Sequence, residues 1–428
     1  MNKTLSKILI SITAAILVLT IAGCALFSLF DKGSIENIPN STEAAKSVTF
    51  DVDQTIENLS DPNAAAKVAR SVVKIKMVYA SGASYGSGII VDIDDTDHPR
   101  AADEFYILTC HHVIATGGDV YVYVPDNNWR NDGDPDYDNN YAFSGIISNE
   151  INDDKAVTLV GGDKDSDVAV LKLDVGDKKN ANGDTIKSTI VQSSIAQDSP
   201  MYYEEIFAIG NPSGTLPMTA LGGNISYIDR EVVISSVGYM TLLQIDAMIK
   251  HGSSGGGLFN MRGQLIGITN GGSDTYIGMN YAIPFYGEYG FVNIAKQLIG
   301  TRNELKEVGN YGYVDGRWRL GITIEEQTNH FGDKSVVISM VESGDNADGK
   351  LTKGSVVYAL VFNGETYEIS TADDFALATY EIKNAMRKDP TLQKVITFDV
   401  YVAGLGRYSV EVSLDKQFIF CDTGNYPD

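Results

Sequence analysis

His251-Gly-Ser-Ser-Gly-Gly-Gly-Leu258 is the stretch on which the reading of this 428-residue chain turns. A serine pair stands among glycines, with apolar runs on both sides, Leu242–Ile249 before it and Leu258-Phe259 after it. A flexible linker of this composition would lie between domains. This one lies inside a region of short β-rich runs that extends from Val72 to about Ile283, broken by Gly, Asn and Asp. Many short strands without interleaved helices predict an antiparallel barrel or sandwich. A helix is expected near Phe291–Ile299, with Gly300 as its stop. Beyond about Gly316 a second unit of some five strands is expected, with one helix, Ala372–Arg387, ended by Asp389-Pro390.

Composition excludes several classes. Apolar residues make up 43% and charged residues 21%, which suits a folded, loop-rich globular chain. The 33 basic and 56 acidic residues give −23 at pH 7, a charge that repels phosphate backbones. Three cysteines form no disulfide framework, and no CxxC or Cys/His cluster points to zinc. Two acidic loops stand out, Asp92 to Asp97 and Asn131 to Asn140. The second lacks the bidentate Glu of a calcium-binding EF-hand loop, so both are read as solvated.

The first 23 residues place Lys3 and Lys7 before an apolar run from Ile8, and no acid precedes Asp31, the layout of a secretory signal. Ile21-Ala22-Gly23-Cys24 resembles the bacterial lipobox, which implies lipidation of Cys24 and a membrane tether at the extracytoplasmic face. The alternative is an uncleaved anchor helix, since Ile8 to Phe30 is long enough to span a bilayer. The expected divisions are a signal at 1–23, a lipidated cysteine and polar tether at 24–60, a barrel domain at 61–303, and a smaller domain with a short tail at 304–428.

Two further strings accompany the serine pair. Tyr106-Ile-Leu-Thr-Cys-His-His-Val113 runs a strand into paired histidines, and Asp165-Ser-Asp-Val-Ala-Val-Leu-Lys172 sets acids before an apolar strand. A serine hydroxyl is a weak nucleophile and needs an imidazole to take its proton. The imidazole needs a carboxylate to fix its tautomer, and the oxyanion needs backbone N–H groups that glycine lets approach closely. All these parts occur, in the order His, Asp, Ser.

With these strings on the page, the chain resembles the HtrA/Deg group of trypsin-like serine proteases, from about residue 64 to the end. Thr109-Cys110-His111-His112-Val113 is similar to its histidine motif, Asp167-Val-Ala-Val-Leu-Lys172 to its aspartate motif, and Gly252-Ser-Ser-Gly-Gly-Gly-Leu258 to its serine motif. Ala208-Ile-Gly-Asn-Pro-Ser-Gly214, Gly267-Ile268 and Asn280-Tyr-Ala-Ile-Pro284 extend the match. The resemblance implies a mainly β fold, a chymotrypsin-like double antiparallel β-barrel followed by an α+β PDZ domain. It implies a serine endopeptidase with no cofactor or metal, in which Ser254 attacks, His112 is the base and Asp167 orients it. Gly252, Ser253 and Ser254 would form the oxyanion hole. Ser253 and Gly257 replace the usual Asn and Pro, which loosens the loop and is compatible with a regulated enzyme.

Met248, Ile249 and Ile268 are the expected specificity pocket. It carries no carboxylate, which implies cleavage after small or medium aliphatic residues. Arg319-Leu320-Gly321-Ile322 looks like the PDZ loop that captures a peptide C-terminus. Unfolded exported proteins are the implied partners, and the family usually forms trimers. The rival reading is a proteolytically silent lipoprotein that only binds peptides or acts as a holdase.

Overall fold

The structure is a computed structural model. It describes residues 41–51 and 62–414, apart from 116–117, 126–142, 149–156, 178, 180–182, 184, 213–218, 235–237, 273–277, 306–310, 315–316, 319, 329–331, 344 and 390. The signal segment, Cys24, the acidic loop 131–140, Arg319 and Cys421 lie outside the described residues.

The chain opens with α1 (Ser41–Ala44), β1 (Val48–Phe50) and α2 (Pro62–Ala69). A first set of strands follows: β2 (Val72–Tyr79), β3 (Gly82–Val91), β4 (Ile93–Asp95), β5 (Glu104–Cys110), the short helix α3 (His111–Ile114), β6 (Asp119–Pro125), β7 (Phe143–Ser148), β8 (Val157–Asp163) and β9 (Val168–Asp174). After α4 (Ile186–Thr189) come β10 (Glu205–Gly210), β11 (Thr219–Ile234), β12 (Gly238–Ile245), β13 (Gly257–Asn260), β14 (Leu265–Gly272), β15 (Asn280–Pro284) and α5 (Phe291–Leu305).

Seven strands form one antiparallel sheet in the order β7-β6-β2-β3-β5-β9-β8, and six close into a barrel, β10-β11-β12-β15-β14-β13. The fold is mainly β and trypsin-like, as expected. Among the described residues only the second set of strands closes through its own ladders. The free edge of β8 is met instead by Gly312, whose N–H donates to the Val160 carbonyl at 2.7 Å. The alternation that made β2 legible is its burial pattern: Ile75 and Met77 point into the core while Lys74 and Lys76 point out. One apolar core joins the first sheet, Leu242, Phe259, Ile268 and Ile283 of the closed barrel, and α5, while Ile206, Ala208, Ile225, Leu243, Ile245, Leu258 and Ala282 form a second core within the closed barrel's own strands.

The C-terminal unit comprises β16 (Ile322–Thr328), β17 (Lys334–Val341), β18 (Val356–Phe362), β19 (Glu365–Glu368), α6 (Ala372–Lys388), β20 (Val395–Val402) and β21 (Gly406–Ser413). Its sheet runs β16-β17-β18-β20-β21, with β19 paired to β18, one short strand more than expected. Helix α6 starts on a capping box between Thr371 and Asp374 and buries Phe375, Ala378, Ile382 and Met386 in a separate core.

Three expectations need correction. The tether does not run free to residue 60: Ser41 donates to Gln297 at 2.6 Å, Ala44 and Val48 are buried, and β1 pairs with β4. Gly300 does not stop α5, which continues to Leu305. A Cβ at Gly300 would collide with the Ala44 carbonyl, so this glycine admits α1 against the helix. The acidic loop at 92–97 is not simply solvated either. Asp95 lies in β4, 1% exposed, and accepts from Asn303 at 2.8 Å and the Asp97 amide at 3.1 Å. Asp92 pairs with Arg100 at 2.9 Å. Among the described residues no helix is long and apolar enough to cross a membrane.

Candidate active site

His112 sits in α3 at the end of β5, Asp167 at the start of β9, and Ser254 in the turn before β13. Strands β5 and β9 are directly paired, Cys110 opposite Val168, which brings the histidine and aspartate segments side by side. Asp167 receives three hydrogen bonds: from the His112 amide at 2.8 Å, from Asn270 Nδ2 at 2.6 Å, and at 2.7 Å it meets His112 Nδ1. Its side chain is fully buried, and its φ of 55° lies in the left-handed region that aspartate tolerates better than most residues. A buried carboxylate with this many donors is held in one orientation.

His112 remains 33% exposed. Burial alone would lower its pKa, but the hydrogen bond and charge of Asp167 outweigh it, and the net shift is upward. Because Asp167 faces Nδ1, that nitrogen carries the proton and Nε2 is the free base.

Ser254 is held from several sides. Its hydroxyl donates to the Asn270 carbonyl at 2.8 Å, and its own carbonyl accepts from the Ser87 amide at 2.8 Å. Among the described residues it makes no hydrogen bond to His112. Asn270 therefore links the two halves of the site, its side chain on Asp167 and its backbone on Ser254. Asn270 is a residue that the sequence did not single out. Its signal was position alone, two residues past Ile268 at the end of an apolar strand.

The glycines around the serines are required by close approach. Gly252 and Gly255 have φ of 94° and 84°, and a Cβ at Gly255 would strike the Ser87 carbonyl and the Thr109 hydroxyl. Thr269 Oγ1 donates to the Ser253 carbonyl at 2.6 Å, and the Ser253 amide donates to Lys250. The Ser253 N–H is thus spent within the turn, while the amides of Gly252 and Ser254 have no acceptor among the described residues.

Of the expected pocket residues, Met248 is 49% exposed, Ile249 is nearly buried, and Ile268 is fully buried in β14. Cys110 is buried beside the site, with Sγ 3.4 Å from the Thr269 carbonyl. Its Sγ and side-chain atoms of His112 and Asp167 lie within 4.8 Å of one another, a set of donor types that could hold a soft metal ion. Burial first, then the charge of Asp167, pushes the Cys110 thiol well above its usual range. The two acids nearest before Asp167 have different work. Asp163 forms a bidentate pair with Arg317 at 2.8 and 2.9 Å, and Asp165 pairs with Lys383 at 2.9 Å. Leu320 and Gly321 precede edge strand β16, and Gly321 takes φ 70°.

Residues 86–268 match the family model of the trypsin-like peptidase domain. A probable periplasmic serine endoprotease, DegP-like, of Hahella chejuensis is 26% identical over 300 residues, covering 67% of this chain and 50% of the relative. The protein of the same description from Rickettsia prowazekii is 29% identical over 231 residues, covering 50% and 40%. The chain thus spans about half the length of the curated relatives it matches. A solved serine endoprotease from Yersinia pestis is 21% identical, covers 88% of this chain and 98% of its own, and superposes with a TM-score of 0.41.

Proposed function

We propose that the protein is an extracytoplasmic serine endopeptidase acting on unfolded exported proteins. The observation that carries this reading is the 2.7 Å contact between buried Asp167 and the half-open imidazole of His112, tied through Asn270 to Ser254. In the reaction, Ser254 rotates its hydroxyl from the Asn270 carbonyl to His112 Nε2 and attacks the scissile carbonyl. His112 takes the hydroxyl proton and returns it to the leaving amine, while Asp167 stabilises the imidazolium. The amides of Gly252 and Ser254, which have no other acceptor among the described residues, receive the oxyanion. Water then repeats the sequence on the acyl-enzyme.

The periplasmic description of the relatives and the leader-like first 23 residues support an extracytoplasmic location, with lipid on Cys24 as the tether. Edge strand β16 beside α6, with the left-handed Gly321 before it, suits a PDZ-type groove for peptide C-termini at Leu320-Gly321-Ile322 and Arg319. A pocket lined by Met248, Ile249 and Ile268 would suit small or medium aliphatic side chains before the cleaved bond, and assembly into trimers is the arrangement this reading carries.

The resting position of the Ser254 hydroxyl favours a second reading, a peptide-binding module without proteolysis. Incubating the full chain with unfolded casein beside a Ser254→Ala control separates the two. Cleavage by the parent chain alone is expected. Equal, negligible cleavage by both, with C-terminal peptides added, would leave the binding module standing.

A further inference from the structure

β2 carries Lys74 and Lys76 on the face turned away from the core, and neither enters the mechanism. Strand pairing fixes their surroundings. Lys74 stands between Ser87 of β3 and Tyr123 of β6, and Lys76 between Tyr85 and Tyr121. Residues directly opposite in antiparallel strands share a face, so two ammonium groups are framed by three tyrosine rings. Lys74 Nζ lies 4.3 Å from the centroid of the Tyr123 ring and 6.0 Å from that of Tyr85, and Lys76 Nζ lies 6.0 Å from that of Tyr121. Stacking of this kind positions an ammonium without neutralising it. Among the described residues Lys76 is in no ion pair, and Asp119 stands further along the sheet, opposite Val78.

This face begins at the candidate active site. Ser87, opposite Lys74, donates its N–H to the Ser254 carbonyl and its hydroxyl to the Gly252 carbonyl, both at 2.8 Å. Lys74 is therefore one strand spacing, about 5 Å, from the residue that holds the serine turn, and Lys76 lies about 7 Å further along β2. Ser87 is fully buried under that turn, whereas Tyr85, two residues away on the same face, is 41% exposed. The cover ends between them. A polypeptide threaded through the site in extended form has alternate side chains about 7 Å apart, the same interval as the two lysines. We infer that the Lys74 and Lys76 face is an exosite for acidic residues of the polypeptide being cleaved, about three to five residues from the cut bond and on one side of it only. This rests on the protease reading and adds a substrate class to it.

Charge supports the choice of occupant. The chain carries −23, so two lysines on one open face reverse its field locally. Long-range repulsion of an acidic substrate is screened beyond about 8 Å at physiological salt, and contact with the lysines then decides. Burial, then the charge of Lys76, lowers the Lys74 pKa, so the two ammonium groups oppose one another and a carboxylate laid between them offsets that repulsion. The rings supply apolar walls for the substrate chain on either side. A free anionic polymer would meet the same ammonium groups, but nothing would tie it to the serine turn.

The test cleaves a mixture of unfolded casein and carboxymethylated serum albumin with the full chain and reads the cut sites by mass spectrometry. In the parent, Asp and Glu are expected to be enriched about 3-fold at those positions on one side of the cut, the scale of two exposed ion pairs. The double variant Lys74→Gln/Lys76→Gln is expected to lose the enrichment while cutting acid-poor stretches at the parent's rate. Lys76→Glu alone is expected to favour Lys and Arg at the same positions, and serves where the double variant fails to fold. No acid preference in the parent, or the same preference in the active variants, would overturn the inference alone. Inorganic polyphosphate that binds the parent and not the double variant, with no acid preference in the cuts, would assign the face to a free polymer and also overturn it. No cleavage beyond the Ser254→Ala control would overturn the protease reading and this inference with it.

Discussion

At the scale of single residues, the pair of His112 and Asp167 sets a pH dependence whose sign is fixed. The histidine pKa is raised above its ordinary 6.5, and only the neutral imidazole can take a proton. Activity on casein is expected to fall as pH drops through a midpoint above 6.5. Asp167→Asn removes the only groups that raise the value and leaves burial, which lowers it. Its acidic limb is expected to move below 6.5, with a rate loss of about 10⁴ from the wrong tautomer. Cys110 gives a second expectation. Its thiol is buried and its pKa pushed up, so iodoacetamide at pH 8 should leave the Cys110 peptide unmodified in the native chain and label it fully in urea. The three-residue logic was legible in the sequence, because His112, Asp167 and Ser254 each stand in a local string with its own chemistry. Asn270 was not. An asparagine near the end of an apolar strand has no local signature, and its importance comes from the fold, which brings its side chain to Asp167, 103 residues away in the chain.

At the scale of elements, the turn before β13 is the least tolerant piece. Gly255→Ala would force a left-handed φ on a residue with Cβ and press that carbon into the Ser87 carbonyl and the Thr109 hydroxyl. A loss of about 2–4 kcal/mol in urea unfolding is expected, together with loss of casein cleavage. Gly300 behaves differently. In an isolated helix Gly→Ala gains about 1 kcal/mol, yet here the methyl would push α1 off α5. Gly300→Ala is expected to keep the barrel folded while amides of residues 41–50 lose hydrogen-exchange protection. The barrel strands were legible because alternation over six or more residues survives in the sequence. Segment β1 was not, since Val48-Thr-Phe50 is too short to show a period and its partner lies in an acid-rich stretch that looks like loop. Helix α5 was cut short at Gly300 for a related reason. The glycine answers to a neighbour brought in from 256 residues away in sequence, as between Ser41 and Gln297.

At the scale of the whole molecule, the segment that carries Asp167 also fastens the C-terminal unit. Arg317, leading into that unit, is 4% exposed and paired with Asp163, which also accepts from Ser166 at 2.6 Å. From α6, Tyr380 packs on Tyr239 with ring centroids 4.5 Å apart, Lys383 holds Asp165, and Tyr289 donates to Asn384. Burial alone would raise Asp165, but Lys383 and Arg317 bring it down to about 2. A depressed carboxylate contributes stability that is present above its unfolded pKa near 4 and lost as pH falls toward 2. Unfolding free energy of the parent chain and of Lys383→Ala should therefore differ by about 2 kcal/mol at pH 6 and converge near pH 2. Equal differences at both pH values would show that the ion pair does not fasten the units.

The N-terminal attachment has a mechanical consequence. A pull delivered through the chain ahead of Ser41 meets first the Ser41–Gln297 hydrogen bond and a ladder of only three residue pairs, Val48 to Asp95, Thr49 to Asp94 and Phe50 to Ile93. These contacts yield before any strand of either large sheet is loaded. Some ten residues of slack would then pay out while His112, Asp167 and Ser254 keep their places, so this segment acts as a fuse between a force on the leader and the site.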